Sequence, residues 1–246
     1  MSDLVSVIIP FYKNIKLLEK AILSVLNQTY KNTEIIIVND NPSIKKIKNL
    51  LNIKSKKLKY INNKLNIGAG LSRNKAIKIS KGKYIAFLDS DDLWKKNKLH
   101  LQLKFMKKKK CSACHTSYYI KNSLDKIISK RYAKNQNYKS LIQSCDIGLS
   151  TVMIEKKIIG KFINPFPNIK TKEDYVCWLY IAKMGVTFYG INNFLVFYLR
   201  HSGSLSSSTY QKIMDAFKVY YKYQRMNIFK TFYRTLVLSL NYLKKI

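Results

Sequence analysis

The stretch VSVIIPFYKNIKLLEKAILSVLNQTYKNTEIIIVND, residues 5–40, decides the fold. It opens and closes with short, nearly continuous runs of β-branched residues, which is the pattern of strands buried on both faces. Between these runs, apolar residues recur at helical spacing over residues 15–27. A strand, a helix and a second strand in this order predict two parallel strands joined by a crossover helix.

The same alternation continues along the first half of the chain. Similar apolar runs predict strands at residues 57–61 and 84–89, and helical spacing predicts helices at 70–80 and 95–109. We therefore predict an α/β fold with a doubly wound, mostly parallel sheet of the nucleotide-binding type. The second half is less regular, with strands predicted at 112–120, 150–155, 186–190 and 194–199 and a buried helix at 173–185.

Polar residues follow three of the predicted strands. The segment from Pro10 to Tyr12 follows the first strand, Asp40 ends the second, and Asp89 to Asp92 follow the fourth. Ligands of such sheets bind beyond the carboxyl ends of the strands. We therefore expect these residues to lie along one edge of one sheet and to form a site.

The acidic cluster in YIAFLDSDDLW, residues 84–94, is unusual for this chain, which has 13 Asp and Glu against 46 Lys and Arg. Three carboxylates within four residues repel one another unless a cation lies among them, and divalent cations prefer oxygen ligands. The cluster thus predicts a metal site. An Asp-rich turn is the simpler alternative.

The formal net charge of +33 predicts attraction to a polyanion, which could be nucleic acid, an anionic membrane or a phosphorylated substrate. A protein that only binds nucleic acid would leave the ordered acidic motifs unexplained, so we expect no specific nucleic-acid partner. The N-terminus lacks a signal-peptide pattern, and no apolar run has transmembrane length, which favours a cytoplasmic location.

The four cysteines are typical of reduced thiols rather than of a disulfide framework. The stretch CSACH, residues 111–115, matches a haem-attachment pattern. Strand alternation would place Cys111 and Cys114 on opposite faces, which speaks against haem attachment.

Five motifs in order resemble those of family 2 glycosyltransferases with the GT-A fold, of the type that builds bacterial surface polysaccharide or lipooligosaccharide. They are residues 5–40, NIGAGLSRNKAI, GKYIAFLDSDD, KEDYVCWLYIAKMG and YLRHSGSLS, and the resemblance covers about residues 4–206. It implies an inverting transfer of a sugar from a nucleotide-sugar donor, with a UDP-hexose expected, to a saccharide or lipid-linked acceptor. It also implies Mn²⁺ or Mg²⁺ as the cofactor.

The resemblance also implies roles for residues of the donor site. Asp40 matches the aspartate that accepts the N3 proton of a uracil-like ring, and Arg73 would contact the diphosphate or the base-edge region. Asp89 would contact the ribose or the surroundings of the metal, and Asp92 the sugar or the same surroundings. Pro10 and Tyr12 complete the predicted donor contacts.

The remaining implied roles concern the metal and the base. Asp91 matches the metal ligand of the Asp-x-Asp motif, and His201 a further metal ligand, although a lone histidine can equally be structural. Asp174 matches the catalytic base, while Glu173 should point elsewhere on the helix. Taken alone, the two acids would suit an ordinary helix start. Trp178 shares the Asp174 face and would be either an acceptor platform or a core residue.

We predict a catalytic domain over residues 1–206, with a nucleotide-binding half at 1–92 and an acceptor-binding half at 93–206, followed by a basic, aromatic helical tail at 207–246. From Tyr210 onward there are nine aromatic residues, eight Lys or Arg and one acid. This composition predicts peripheral attachment to an anionic membrane, at the inner face of the plasma membrane. Alternatively, the tail packs on the catalytic domain or forms oligomers with a partner chain.

Two other functions are alternatives to the transferase. A sugar-nucleotide pyrophosphorylase would need a Gly-rich signature with Lys or Arg after the first strand, which IIPFYKN, residues 8–14, does not supply. A basic nucleic-acid-binding protein is the second alternative.

Overall fold

The computed structural model describes residues 2–200 and 209–243. The first half of the chain alternates strands and helices as the sequence predicts. Its elements are β1 (Val5–Phe11), α1 (Ile15–Leu26), β2 (Thr33–Asn39), β3 (Leu58–Asn62), α2 (Ala69–Ile79), β4 (Tyr84–Phe87), β5 (Leu93–Trp94) and α3 (Lys98–Lys109). The predicted strands and helices of this half are confirmed, apart from the two-residue strand β5, which was not predicted.

The second half contains strands, short helices and two longer C-terminal helices. Its elements are β6 (Ala113–Lys121), β7 (Ile127–Arg131), α4 (Tyr138–Leu141), β8 (Met153–Glu155), α5 (Lys156–Ile159), α6 (Glu173–Lys183), β9 (Tyr189–Leu199), α7 (Thr209–Lys218) and α8 (Ile228–Leu243). A π-helical turn, Val219–Tyr223, extends α7. The helix then ends, and α8 begins at Ile228. Within residues 209–243, the predicted helical tail consists of α7 with its π-helical turn and α8.

Within the described residues, nine strands form a single sheet in the order β3-β2-β1-β4-β8-β6-β9-β5, with β7 paired to β6. Strands β1 to β4 pair in parallel, as do β6 and β9, and these pairs contain most of the paired residues. Strand β8 is antiparallel to both β4 and β6 and joins the two parallel regions. The mostly parallel α/β sheet predicted from the sequence is thus confirmed.

The sheet is buried on both faces, which explains the continuous apolar runs of its strands. Val7 and Ile9 of β1 pack in the core cluster of α1 and α3, whereas Ile8 packs in the cluster of α2 and α6. Alternate residues of one strand therefore supply two cores. The polar residues lie at the strand ends, at the edge of the sheet.

Trp178 lies fully buried in α6, so it does not form a platform for the acceptor. Its ring packs against Phe87, Phe166 and Phe188 at centroid distances of 5.9, 6.0 and 5.2 Å. The alternative, a core tryptophan, is correct. Helix α6 is apolar on this side because it rests on the sheet.

The C-terminal helices pack on α6 and on each other. Ala216, Val219 and Leu238 belong to the same core cluster as α6, and Phe217 contacts Phe232 at 5.3 Å between ring centroids. No helix within the described residues has the length and hydropathy needed to cross a bilayer. The four cysteines are free thiols.

Candidate active site

The carboxyl ends of β1, β2 and β4 bring the predicted residues to one edge of the sheet. The amide of Asp40 donates to the carbonyl of Phe11 at 2.7 Å, and the amide of Leu88 donates to the carbonyl of Ile8 at 3.0 Å. Tyr12 follows β1 and is exposed, while Pro10 lies within the strand, opposite Val38. The strand ends that carry Tyr12, Asp40 and the acidic cluster are therefore neighbours, as predicted.

Asp40 is buried at this edge and organises the loop that leads into α2. Its Oδ1 accepts hydrogen bonds from Asn63 Nδ2 at 2.8 Å and from the Ile67 amide at 3.0 Å, and its Oδ2 accepts one from the Gly68 amide at 2.8 Å. Gly68 has φ 86°, a conformation that glycine adopts without strain. Because each carboxylate oxygen can accept two bonds, Oδ2 keeps the capacity to accept one more.

Arg73 projects from α2 and bridges two carboxylates. Its Nη2 lies 2.7 Å from Asp89 Oδ1, and its Nη1 lies 2.6 Å from Glu173 Oε1. Burial favours the neutral guanidine, but the two carboxylates outweigh this effect and raise the pKa of Arg73. Both terminal nitrogens thus engage protein carboxylates, and a direct contact of Arg73 with the donor stays a prediction.

The three aspartates of the acidic cluster differ in environment. Asp89 and Asp91 are partly exposed, whereas Asp92 is buried. Asp92 Oδ2 accepts a hydrogen bond from Ser150 Oγ at 2.5 Å, and its Oδ1 accepts one from the Leu199 amide at 3.1 Å. Burial, followed by repulsion from Asp91 and Asp89, raises the pKa of Asp92 well above its usual range. Asp92 therefore ties the acidic loop to the end of β9.

Ser150 is a residue of this site that the sequence did not reveal. Besides donating to Asp92, its Oγ accepts a hydrogen bond from the Asp89 amide at 3.0 Å, and its carbonyl accepts one from Trp94 Nε1 at 2.8 Å. It lies in a 3₁₀ turn, Leu149–Thr151, where the sequence suggested the start of a strand. No local sequence pattern identifies Ser150, because its partner Asp92 lies 58 residues away in the chain.

Asp174 lies in the first turn of α6, next to Glu173. The Tyr175 amide donates to its Oδ1 at 2.7 Å. Asp174 as a residue is partly exposed, but burial of its carboxyl, followed by repulsion from Glu173, raises the pKa of Asp174 to about 7. Glu173 turns toward Arg73, with which it forms an ion pair. A carboxylate with a pKa near neutrality can accept a proton from a hydroxyl group.

The acidic cluster offers the type of donor that Mg²⁺ and Mn²⁺ prefer, namely carboxylate oxygens. Asp89 and Asp91 are both partly exposed, Asp89 pairs with Arg73, and Asp92 is bonded to Ser150 and Leu199. Within residues 2–200 and 209–243, no group of three His, Cys, Asp or Glu side chains is arranged to hold a metal ion. The predicted ligand His201 lies outside the described residues.

The chain is similar to known glycosyltransferases. The model of glycosyl transferase family 2 matches residues 6–162. The chain is 34% identical to TuaG of Bacillus subtilis, a glycosyltransferase assigned to teichuronic acid biosynthesis, over 98% of this chain and 97% of TuaG. It is 34% identical to WfaP of Escherichia coli, named a UDP-Glc:α-D-GlcNAc-diphosphoundecaprenol β-1,3-glucosyltransferase, over 86% of this chain and 83% of WfaP.

Among solved structures, residues 1–349 of S. aureus TarS in complex with UDP-GlcNAc align with a TM-score of 0.69 and 20% identity. The alignment covers 87% of this chain and 64% of the TarS chain. The shared fold confirms the GT-A architecture predicted from the motifs. The pyrophosphorylase and nucleic-acid-binding alternatives find no support in these comparisons.

Proposed function

The chain belongs to glycosyl transferase family 2, and we propose that it is an inverting, metal-dependent enzyme that moves a hexose from a UDP-sugar to a lipid-linked or saccharide acceptor in cell-surface glycan synthesis. The observation that carries this proposal is the bridge formed by Arg73. It joins Asp89, on the donor side, to the first turn of α6, where Asp174 has a pKa suited to a general base. The guanidinium of Arg73 thus links the proposed donor site to the helix that carries the proposed base.

The donor half of the proposal follows from the edge of the sheet. Asp40 Oδ2 has capacity for the N3 hydrogen of a uracil ring, and the exposed Tyr12 follows the neighbouring strand β1. Asp91, with His201, would hold Mg²⁺ or Mn²⁺, and the bound metal would neutralise the charge of the diphosphate leaving group. WfaP is named for a UDP-glucose donor, and TarS was solved with UDP-GlcNAc, which supports a UDP-sugar here.

The acceptor half depends on Asp174. Its carboxylate takes the proton of the acceptor hydroxyl while that oxygen bonds to the anomeric carbon from the face opposite the diphosphate. The bond between the anomeric carbon and the diphosphate oxygen breaks, and UDP leaves with the bonding electrons. Glu173 is engaged by Arg73 in an ion pair, so we assign the role of base to Asp174, the other acid of this pair.

The acceptor class is proposed from the relatives. WfaP is named for an acceptor on diphosphoundecaprenol, a lipid, so a comparable acceptor would place this enzyme at the inner face of the plasma membrane. An anionic membrane surface suits a chain with a net charge of +33.

A donor screen tests the proposal. The full chain is incubated with Mn²⁺ and, separately, UDP-glucose, UDP-galactose, UDP-GlcNAc and GDP-mannose, and release of the nucleoside diphosphate is measured. We expect slow release from at least one UDP-hexose, its loss in excess EDTA, and its loss in Asp91→Ala with the fold retained. Release from GDP-mannose alone, or full release in EDTA, would contradict the proposed donor or the metal.

A further inference from the structure

Helix α8 presents its most apolar side to the outside. Residues three and four apart share one face of a helix, and the inward face of α8 carries Thr231, Thr235 and Leu238. The outward face carries larger apolar side chains, which are Phe229 (83% exposed), Phe232 (62%), Tyr233 (62%), Leu236 (58%) and Leu240 (48%). A surface helix of a globular domain normally has the reverse orientation.

Helix α7 and the π-helical turn continue this surface. Tyr210, Ile213, Met214 and Tyr221 are exposed, and Phe217 joins the two helices by contacting Tyr221 and Phe232 at centroid distances of 5.7 and 5.3 Å. We call the exposed apolar residues of these two paragraphs, together with Phe217, the α7–α8 face. Exposed apolar residues grouped on neighbouring helices in this way mark an interaction site.

Exposed cations lie on the same two helices and on the segment between them. Lys218, Lys222, Arg225 and Lys230 are exposed, and Lys212 extends over the ring of Tyr242 at 5.2 Å. The one acid of the tail, Asp215, is buried, where it accepts two hydrogen bonds from Thr171 and pairs with Lys218. Within residues 209–243, the surface therefore carries cations without an exposed acid.

We propose that the α7–α8 face docks on the surface of an anionic phospholipid bilayer. Aromatic and aliphatic side chains framed by Lys and Arg are typical of helices that lie in the membrane interface. A second copy of the chain fits less well, because a symmetric pair would bring the same cations together with no exposed acid to offset them. With 16 residues, α8 lies along the interface rather than across the bilayer.

The docked helices contact the helix that carries Asp174. Asp215 Oδ2 accepts hydrogen bonds from the amide and the hydroxyl of Thr171 at 3.0 and 2.9 Å, and the hydroxyls of Tyr175 and Tyr220 lie 3.0 Å apart. Thr171 and Tyr175 flank Asp174 on both sides. Docking would therefore hold the site close to a membrane-borne acceptor, a consequence that rests on the proposed function, whereas docking itself does not.

Vesicle co-sedimentation of the full chain tests the docking. Vesicles of phosphatidylcholine alone are compared with vesicles of phosphatidylcholine and phosphatidylglycerol in equal parts, without donor. We expect binding to the anionic vesicles only. The variant Phe229→Ser/Leu236→Ser should weaken that binding by about tenfold or more, since each apolar side chain contributes through burial. Both residues are exposed, so the fold should be retained, which circular dichroism checks.

Matched controls alter exposed apolar residues and exposed lysines elsewhere on the surface. Leu124→Ser/Ile163→Ser removes two side chains that are 74% and 83% exposed and should leave binding unchanged. Lys222→Gln/Lys230→Gln should weaken binding to anionic vesicles, whereas Lys104→Gln/Lys108→Gln, which removes two exposed lysines of α3, should weaken it less. Equal losses in test and control pairs would overturn a specific face, as would equal binding to neutral vesicles.

Two further measurements separate the remaining outcomes. If sedimentation velocity shows a dimer that Phe229→Ser/Leu236→Ser abolishes, and no vesicle binds, the face is an interface between copies and the proposal fails. UDP release measured without vesicles should be unchanged in that variant. Absence of UDP release with vesicle binding intact would overturn the proposed function and leave the docking standing.

Discussion

Arg73 and Glu173 form an ion pair of 2.6 Å that fastens α2 to the first residue of α6. The same guanidinium contacts Asp89 beyond the end of β4, so one buried cation lies between the donor edge and the helix of the proposed base. Removing one member of a buried ionic group leaves the others without a counter-charge, which costs more than the pair contributes. The relative position of the two halves of the site therefore depends on Arg73.

Replacing Arg73 should affect both stability and activity. We expect Arg73→Met to lower the free energy of unfolding by about 3 kcal/mol, because Asp89 and Glu173 lose their shared cation. Arg73→Lys should retain more stability but little activity, since an ammonium group cannot reproduce the fork of two nitrogens. Urea unfolding and UDP release measure the two effects. Lys78→Met, an exposed lysine of the same helix, is the control. A wild-type unfolding free energy in Arg73→Met would refute the bridge.

Gly70 provides a second test of the bridge without removing a charge. A Cβ atom at this position would lie 2.9 Å from Glu173 Cγ and 3.2 Å from the Pro167 carbonyl oxygen. Gly70→Ala should therefore displace Glu173 from Arg73 and lower kcat/KM. In a double-mutant cycle, Gly70→Ala should cost less in a Glu173→Gln background than in the wild type. Strict additivity of the two losses would show that the alanine acts elsewhere.

The strands and helices of the first half could be predicted because each has a local signal, such as the β-branched runs of β1 and β2. Strand β9 was predicted as two strands because Asn192 and Asn193 interrupt its apolar run. In the structure these two residues form a β-bulge: Ile191 pairs with Thr116 and Phe194 with the next residue, Ser117, so the residues between them are skipped in the pairing. A bulge depends on the partner strand, which no local pattern describes.

The candidate site was predictable to the extent that its residues end strands or begin a helix. Asp40 and the acidic cluster could be found in this way, whereas Asp174 alone would suit an ordinary helix start and was singled out by the family resemblance. The partners of Arg73 could not, because they lie 16 and 100 residues away and depend on how α2 and α6 pack. The apolar stripe of α8 was visible in the sequence, but its outward orientation results from the inward packing of Thr231 and Thr235.

The pH dependence of turnover should report Asp174. Because burial raises the pKa of Asp174 to about 7, the carboxyl is protonated and inactive as a base below this value. We expect kcat/KM for the UDP-hexose to rise with pH and to level off above about 7. Steady-state rates at a series of pH values, with donor and metal binding followed in parallel, measure this. A rate that is flat from about pH 5 to about 9 would contradict the assignment.

The burial of Lys98 leads us to predict a pH effect on stability that is unrelated to catalysis. Its ammonium is buried, 2.7 Å from Gln102 Oε1 and 3.9 Å from the centroid of the Trp94 ring, and burial lowers the pKa of Lys98 to about 7. The folded chain then binds fewer protons than the unfolded chain between about 7 and 10.5, so stability increases with pH across this interval.

Lys98→Met should therefore be more stable than the wild type below pH 7, and the difference should shrink as the pH rises above that value. Urea unfolding of both proteins at several pH values measures the difference. Lys104→Met, at an exposed position of the same helix, should show no such trend. A difference that does not vary with pH would mean that Lys98 stays charged in the folded protein.

The substitution Asp174→Asn tests the central claim most directly, when turnover, donor binding and unfolding are measured on the same protein. The amide keeps the shape and the hydrogen bond from the Tyr175 amide but cannot take a proton. We predict that kcat falls on the order of 10²-fold or more while UDP-sugar binding persists. The free energy of unfolding at neutral pH should not fall, because a buried carboxylate with a raised pKa destabilises the fold. Near wild-type kcat in Asp174→Asn would contradict the account.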